Sequence, residues 1–221
     1  FFTGNVQFEH QGAMLTADRV IFYEKENFAK AIGNVLLVTS DGNRITSNEM
    51  EYDGNTQRGI ARGKVVLTDA KQTISTDVLY YDRVKNTAYF NSGGTINDGR
   101  NTMWTQSATY FIDSKTNEFT NNYTIDNAQY RVEGKNIKHY QNTNIAEFFG
   151  PTTIINKEKP SNYIYTENGK YLMNEKQVYL NKNSRIYYNG KILKGDKMFF
   201  NQLTGFGKAE GNVRLDDPKE N

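Results

Sequence analysis

The sequence predicts an all-β protein, a solenoid-like bent β-sandwich of about seven antiparallel two-strand repeats. Three observations carry this. A motif of alternating apolar residues returns about every 30 residues, apolar positions keep a period of two, and turn-forming dipeptides separate the alternating segments.

The first motif is an apolar residue, any residue, a small residue, often Asp, then a hydrophobic or aromatic pair two apart. It reads Leu15-Thr16-Ala17-Asp18 with Val20 and Phe22, Ile45-Thr46-Ser47-Asn48 with Met50 and Tyr52, and Ile74-Ser75-Thr76-Asp77 with Leu79 and Tyr81. Weaker copies pass through Ser107, Tyr110 and Ile112, through Val132, Gly134, Ile137 and His139, and through Ile164 to Tyr171. Leu193-Lys194-Gly195-Asp196 with Met198 and Phe200 ends the series.

A second motif interleaves with it: Gly4-Asn5-Val6-Gln7-Phe8, Gly33-Asn34-Val35-Leu36-Leu37, Gly63-Lys64-Val65-Val66-Leu67, Gly94-Thr95-Ile96, Gly150 to Ile154, and Gly211 to Leu215. Asp41-Gly42, Asn97-Asp98-Gly99 and Asn189-Gly190 tolerate positive φ and mark hairpin turns. The other connections are short and polar, as at Asp53-Gly54-Asn55. Short connections make successive strands antiparallel neighbours, about 14 or 15 in all. Small residues recur in mid-strand: Gly33 inside 28–38 and Ser47 inside 44–52. A glycine within a strand marks a bulge or bend, so each strand is expected to fold across two facing sheets that enclose an apolar interior.

Composition agrees with an extended β-protein and excludes several classes. Mean hydropathy is −0.75, yet 13% of residues are aromatic, too many for a disordered chain. Charges are balanced (27 Lys+Arg, 25 Asp+Glu) and mixed in sequence, without the basic block of a nucleic-acid binder. Cysteine is absent, which removes disulfides and thiolate metal sites. No apolar run reaches the roughly 18 residues of a membrane-spanning helix. Phe1 to Val6 already reads as mid-pattern, so the chain is expected to be part of a longer precursor.

No catalytic constellation is visible, and no cofactor is expected. His10 and His139 lie several repeats apart, and His139 takes the place that Tyr52 and Tyr81 hold in their copies, which predicts a half-buried aromatic substitute rather than a metal ligand. The spacing of Asp18, Asp77 and Asp196 places them at turns or strand edges rather than in one active site. Asn122-Tyr123-Thr124 fits a glycosylation sequon, a pattern common by chance, and the lone Trp104 is expected to pack on a strand face.

The unit Gly-Asn-Val-x-Leu, Asp-Gly, Ile-x-Ser-Asp-x-x-x-Tyr-Asp resembles the OstA/LptA family, most closely over 31–69, then over 1–30, 70–90 and 193–215. Residues 100–180 depart from it, with Asn121-Asn122-Tyr123-Thr124 replacing the Gly-Asn-Val element and extra residues near Pro160. The resemblance implies a β-jellyroll whose groove holds lipid A acyl chains, a periplasmic place with the signal peptide removed, and a non-enzymatic role in lipopolysaccharide export. The inward positions would be Val35, Leu37, Ile45, Met50, Tyr52, Val65, Leu67, Ile74, Leu79, Tyr81, Met198 and Phe200. Residues 1–215 would form one repeat domain and 216–221 a polar tail. Edge residues Val6, Phe8, Val213 and Leu215 would pair head-to-tail with another module of the same kind. A repeat shell or adhesin-like β-repeat without lipid binding is the competing reading, and parallel coils would favour a β-helix instead.

Overall fold

The computed structural model describes residues 1–10, 12–201 and 203–217, and the chain divides into two compact units, Phe1–Asp113 and Ser114–Asn221. Among the described residues every regular element is a strand and every strand pairing is antiparallel, which excludes the parallel β-helix.

Unit 1 runs β1 (Phe2–His10), β2 (Ala13–Tyr23), β3 (Phe28–Val38), β4 (Arg44–Asp53), β5 (Arg58–Thr68), β6 (Thr73–Asp82), β7 (Thr87–Phe90), β8 (Gly94–Asn97) and β9 (Thr102–Phe111). Each strand pairs with the next in sequence through β6, and then β7 and β8 lie end to end between β6 and β9 as two halves of one strand position. Unit 2 runs β10 (Thr116–Asp126), β11 (Tyr130–Tyr140), β12 (Ile145–Asn156), β13 (Tyr163–Leu172), β14 (Gln177–Lys182), β15 (Ser184–Tyr188), β16 (Lys191–Gly195), β17 (Lys197–Asn201), β18 (Gly207–Glu210) and β19 (Arg214–Asp216). Its last three strand positions are broken in the same way: β14 with β15, β17 with β16, and β18 with β19. Of the tail expected at 216–221, Asp216 ends β19, and 218–221 lie outside the described residues.

The long strands bend where the small residues recur, except β10, which bends at Asn121 and Asn122. In β3 the pairing with β4 jumps between Ile32 and Val35, and the skipped Gly33 (φ 78°) and Asn34 (φ 46°) both take left-handed conformations. Gly63 (φ 76°) and Lys64 (φ 52°) do the same in β5. Two successive left-handed residues turn the strand out of its sheet, a conformation that glycine adopts without steric cost.

A bend strips backbone carbonyls of their ladder partners, and buried hydroxyls replace them. Ser47 Oγ donates to Glu49 O at 3.0 Å, Thr105 Oγ1 to Ser107 O at 3.0 Å, and Thr166 Oγ1 to Asn168 O at 2.7 Å. This explains why the small residue at this point of the motif is so often Ser or Thr: a buried unpaired carbonyl costs about 1–3 kcal/mol.

The recurring aspartates differ from their expected place at turns or strand edges, because they stand at these bends. Asn34 Nδ2 donates to Asp18 Oδ2 at 3.0 Å, and Asn212 Nδ2 donates to Asp196 Oδ2 at 2.9 Å. Asp77 lies opposite the Gly63-Lys64 bend. Each carboxylate therefore belongs to a separate corner of the fold.

The bends divide the strands of each unit into two arms. The first arm ends in the Gly-containing turns, where Gly42 (φ 86°), Gly99 (φ 83°) and the pair Asn189-Gly190 (φ 50° and 84°) reverse the chain as expected. The second arm ends in four-residue turns that close on a left-handed residue, Asn27, Gln57 and Asn86 in unit 1 and Lys115, Asn144 and Lys176 in unit 2. These turns stack through their backbones in unit 1: Gly54 N donates to Asn27 O at 2.8 Å, Arg83 N to Gln57 O at 3.0 Å, and Ile112 N to Asn86 O at 3.1 Å.

Candidate functional site

Strict alternation along each strand sends one set of side chains to the inner face of each arm, and register aligns them in rows. In unit 1 the inner row of the first arm is aliphatic between Phe8 and Met103 at its two ends: Leu15, Leu37, Ile45, Leu67, Ile74 and Ile96 lie opposite one another in turn. Facing it, the second arm alternates large and small residues, Val20, Ala31, Met50, Ala61 and Leu79. The Gly-Asn-Val strands supply the alanines, and the aspartate-motif strands supply the large residues. The two faces pack together, for Leu15 and Val35 share one cluster with Val20, Ala31 and Met50.

A third inner row of unit 1 lies near the turn end of the second arm. There Tyr52, Gly59, Tyr81, Ala88 and Tyr110 pair in sequence, so that each ring sits beside a small residue. Burial deepens along it: Tyr52 and Tyr81 are half-buried, whereas Tyr110 is buried. Burial raises the Tyr81 phenol, with Arg83 opposing and the Asp41 carboxylate adding to the rise.

Unit 2 repeats the plan with a different depth. Its first-arm row is Ile125, Val132, Ile154, Ile164, Ile186 and Leu193, again aliphatic throughout. All six are only half-buried, while Ile45, Leu67, Ile74 and Ile96 of unit 1 are fully buried. The second arm presents Phe119, Ile137, Phe148, Leu180 and Met198, all buried. Ile164, Ile186 and Leu193 reach its Val178, Leu180 and Met198 but are not covered by them. Unit 2 thus holds an inward aliphatic strip that solvent still reaches.

Nine of the twelve residues expected to face inward fall on these rows; Val35 and Val65 stand beside the bends, opposite Ser47 and Thr76, and Phe200 lies opposite Val178. Val35, Ile45, Val65, Leu67, Ile74, Leu79 and Met198 are buried, Leu37, Met50, Tyr52 and Tyr81 are half-buried, and Phe200 is 37% exposed. Ten of the twelve lie in unit 1 and two, Met198 and Phe200, in unit 2. Sequence reasoning missed the half-buried row of unit 2, although Val132, Ile154, Ile164 and Leu193 all stand within copies of the two motifs. Of the edge residues, Val6 packs against the unit 1 cluster, Phe8 and Leu215 are exposed in β1 and β19, and Val213 is exposed just before β19.

Chemistry of other kinds finds little support. Among the described residues no group of three or more His, Cys, Asp or Glu could hold a metal ion, and no helix is long and apolar enough to cross a membrane. His139 takes an aromatic's place, at the row position of Tyr171 between Asn117 and Ala146, but it is buried rather than half-buried as expected; the side chain of His10 lies outside the described residues. Trp104 departs from expectation. It stands on the outer face of the first arm, opposite Thr95, and is 42% exposed.

A chain of bent antiparallel strands with two apolar arms and repeating corners can be compared with known families. Residues 1–135 match the family described as OstA-like protein. The chain belongs to the OstA-like family. Residues 112–220 of this OstA-like chain also match the family described as lipopolysaccharide-assembly, LptC-related. It is similar to the crystal structure of LptH, the LptA homologous periplasmic component of the conserved lipopolysaccharide transport device from Pseudomonas aeruginosa. That similarity has 14% identity and a TM-score of 0.23, and covers 79% of this chain and 92% of the other. No curated protein sequence matches the OstA-like chain.

Proposed function

We propose that this OstA-like protein is a periplasmic, non-enzymatic module of lipopolysaccharide export that holds lipid A acyl chains between its two arms. The observation that carries the reading is the half-buried aliphatic row of unit 2, Ile125 to Leu193, which faces inward yet remains open to a ligand. An apolar strip between splayed sheets with a polar exterior is the usual form of a lipid-binding site. The match of 112–220 to the LptC-related family supports the same assignment over the same unit.

Photo-crosslinking tests it. A photoreactive residue at Ile154, or at the half-buried Leu37 of unit 1, captures purified lipopolysaccharide. The same residue at Glu51, ion-paired on the outer face with Lys30 and Arg62, or at Lys64 on a bend, does not. Equal labelling at all four positions removes the lipid reading and returns the chain to a repeat shell.

We further propose that this module joins others of its kind by strand addition at β1 and β19, with Val6, Phe8, Val213 and Leu215 at the edges. Edge strands offer backbone N–H and C=O groups to a partner, and head-to-tail pairing would continue one apolar interior into the next. Proline at Leu215 removes one edge donor and should lower the mass seen at high concentration. A strict monomer in the full-length protein excludes the assembly.

A further inference from the structure

The two units differ at the free side of their arms. In unit 1 a polar contact crosses that side: Tyr110 Oη, at the end of the tyrosine row, donates to Asp69 Oδ2 at 2.5 Å. Tyr110 belongs to the second arm, one residue from the end of β9, and Asp69 belongs to the first-arm turn between β5 and β6. Both partners are held in place. Tyr110 is 2% exposed and lies beside the small Ala88. The Asp69 carboxylate accepts backbone N–H groups from Lys71 at 2.7 Å and Gln72 at 2.9 Å. Burial, reinforced by the bond to Asp69, raises the Tyr110 phenol, so it stays a donor at every physiological pH.

Behind this contact the interior is full. Leu67, Ile74, Phe90 and Ile96 are all buried against the opposite arm or their row neighbours. A ligand entering from the side does so where the arms part, because the bends join them on the other side. We infer that the Tyr110–Asp69 hydrogen bond is a latch on unit 1, and that an acyl chain enters the interior of this unit when the latch opens. This rests on the acyl-binding reading above. A hydrogen bond from a buried phenol to a half-buried carboxylate is among the stronger polar ties available, and its loss shifts an opening equilibrium about five- to tenfold. Unit 2, whose aliphatic row is already half-exposed, needs no such opening.

The test removes one oxygen atom. Tyr110→Phe keeps the ring that fills the row, and Asp69 keeps its two turn amides, so the variant folds. A benzophenone amino acid at Tyr81, the half-buried neighbour in the same row, reports on unit 1, and one at Ile154 reports on unit 2. With purified lipopolysaccharide, Tyr110→Phe should raise capture at position 81 about five- to tenfold and leave capture at position 154 unchanged. Tyr140→Phe, which removes a hydroxyl bonded to Glu147 on the outer face, should change neither. Unchanged capture at 81 alongside normal capture at 154 overturns the latch and leaves the acyl-binding reading standing. No capture at either position, with or without Tyr110→Phe, overturns both.

Discussion

Leu67→Asp should unfold unit 1, with a loss of about 4 kcal/mol or more in urea denaturation followed by circular dichroism. Leu67 is 2% exposed, in the middle of the first-arm row, with Ile45 and Ile74 on the neighbouring strands. A carboxylate there has no cation within the row and no route to water, so it either protonates or forces the arms apart. A domain of this size has only about 5–15 kcal/mol of net stability, so the variant is expected to be largely unfolded at modest denaturant. The matching change in unit 2, Ile164→Asp, should cost only about 1–2 kcal/mol, because the half-buried position lets the carboxylate reach solvent. The second variant should still fold yet lose lipid capture at Ile154. Equal destabilisation by the two substitutions would contradict the difference in depth between the rows.

That difference explains what could be read from the sequence and what could not. Period-two alternation and the Asp-Gly and Asn-Gly turns are local, so the strands, their antiparallel pairing and most inward positions were legible. The bounds of β3, for example, are those of the segment in which Gly33 was noticed. Burial depth is not local. It depends on how closely the opposite arm approaches, and Leu67 and Ile164 look alike in sequence while only one is covered. The stretch 100–180 was obscure for a related reason: its bend in β10 is made by Asn121 (φ 62°) and Asn122 (φ 70°) without any glycine. The broken strands of unit 2 were missed because a residue such as Asn183 (φ 47°) interrupts a strand without interrupting the alternation. The tie from Tyr110 to Asp69 spans 41 residues and has no signature in either motif.

The aspartates give the reverse case, a recurring residue whose place was misjudged and whose correction yields a strong prediction. Gly33→Val should destabilise unit 1 by about 2–4 kcal/mol, from two separable causes. The first is conformational: at φ 78° a β-branched side chain clashes with its own backbone, worth about 1–2 kcal/mol. The second is a neighbour, since a Cβ on Gly33 would run into the Asp18 carboxylate that receives the Asn34 amide. Asp18→Ala removes the obstacle but not the backbone strain. In that background Gly33→Val should therefore cost less, by about 1 kcal/mol, a coupling expected only of residues in contact. Gly42→Val separates the causes from the other side, for Gly42 has φ 86° and open space around its Cβ position. It should show the backbone cost alone, whether or not Asp18 is present. Full additivity between Gly33→Val and Asp18→Ala in urea unfolding would mean that the carboxylate does not close the corner, and that the recurring Asp of the motif is kept for some other reason.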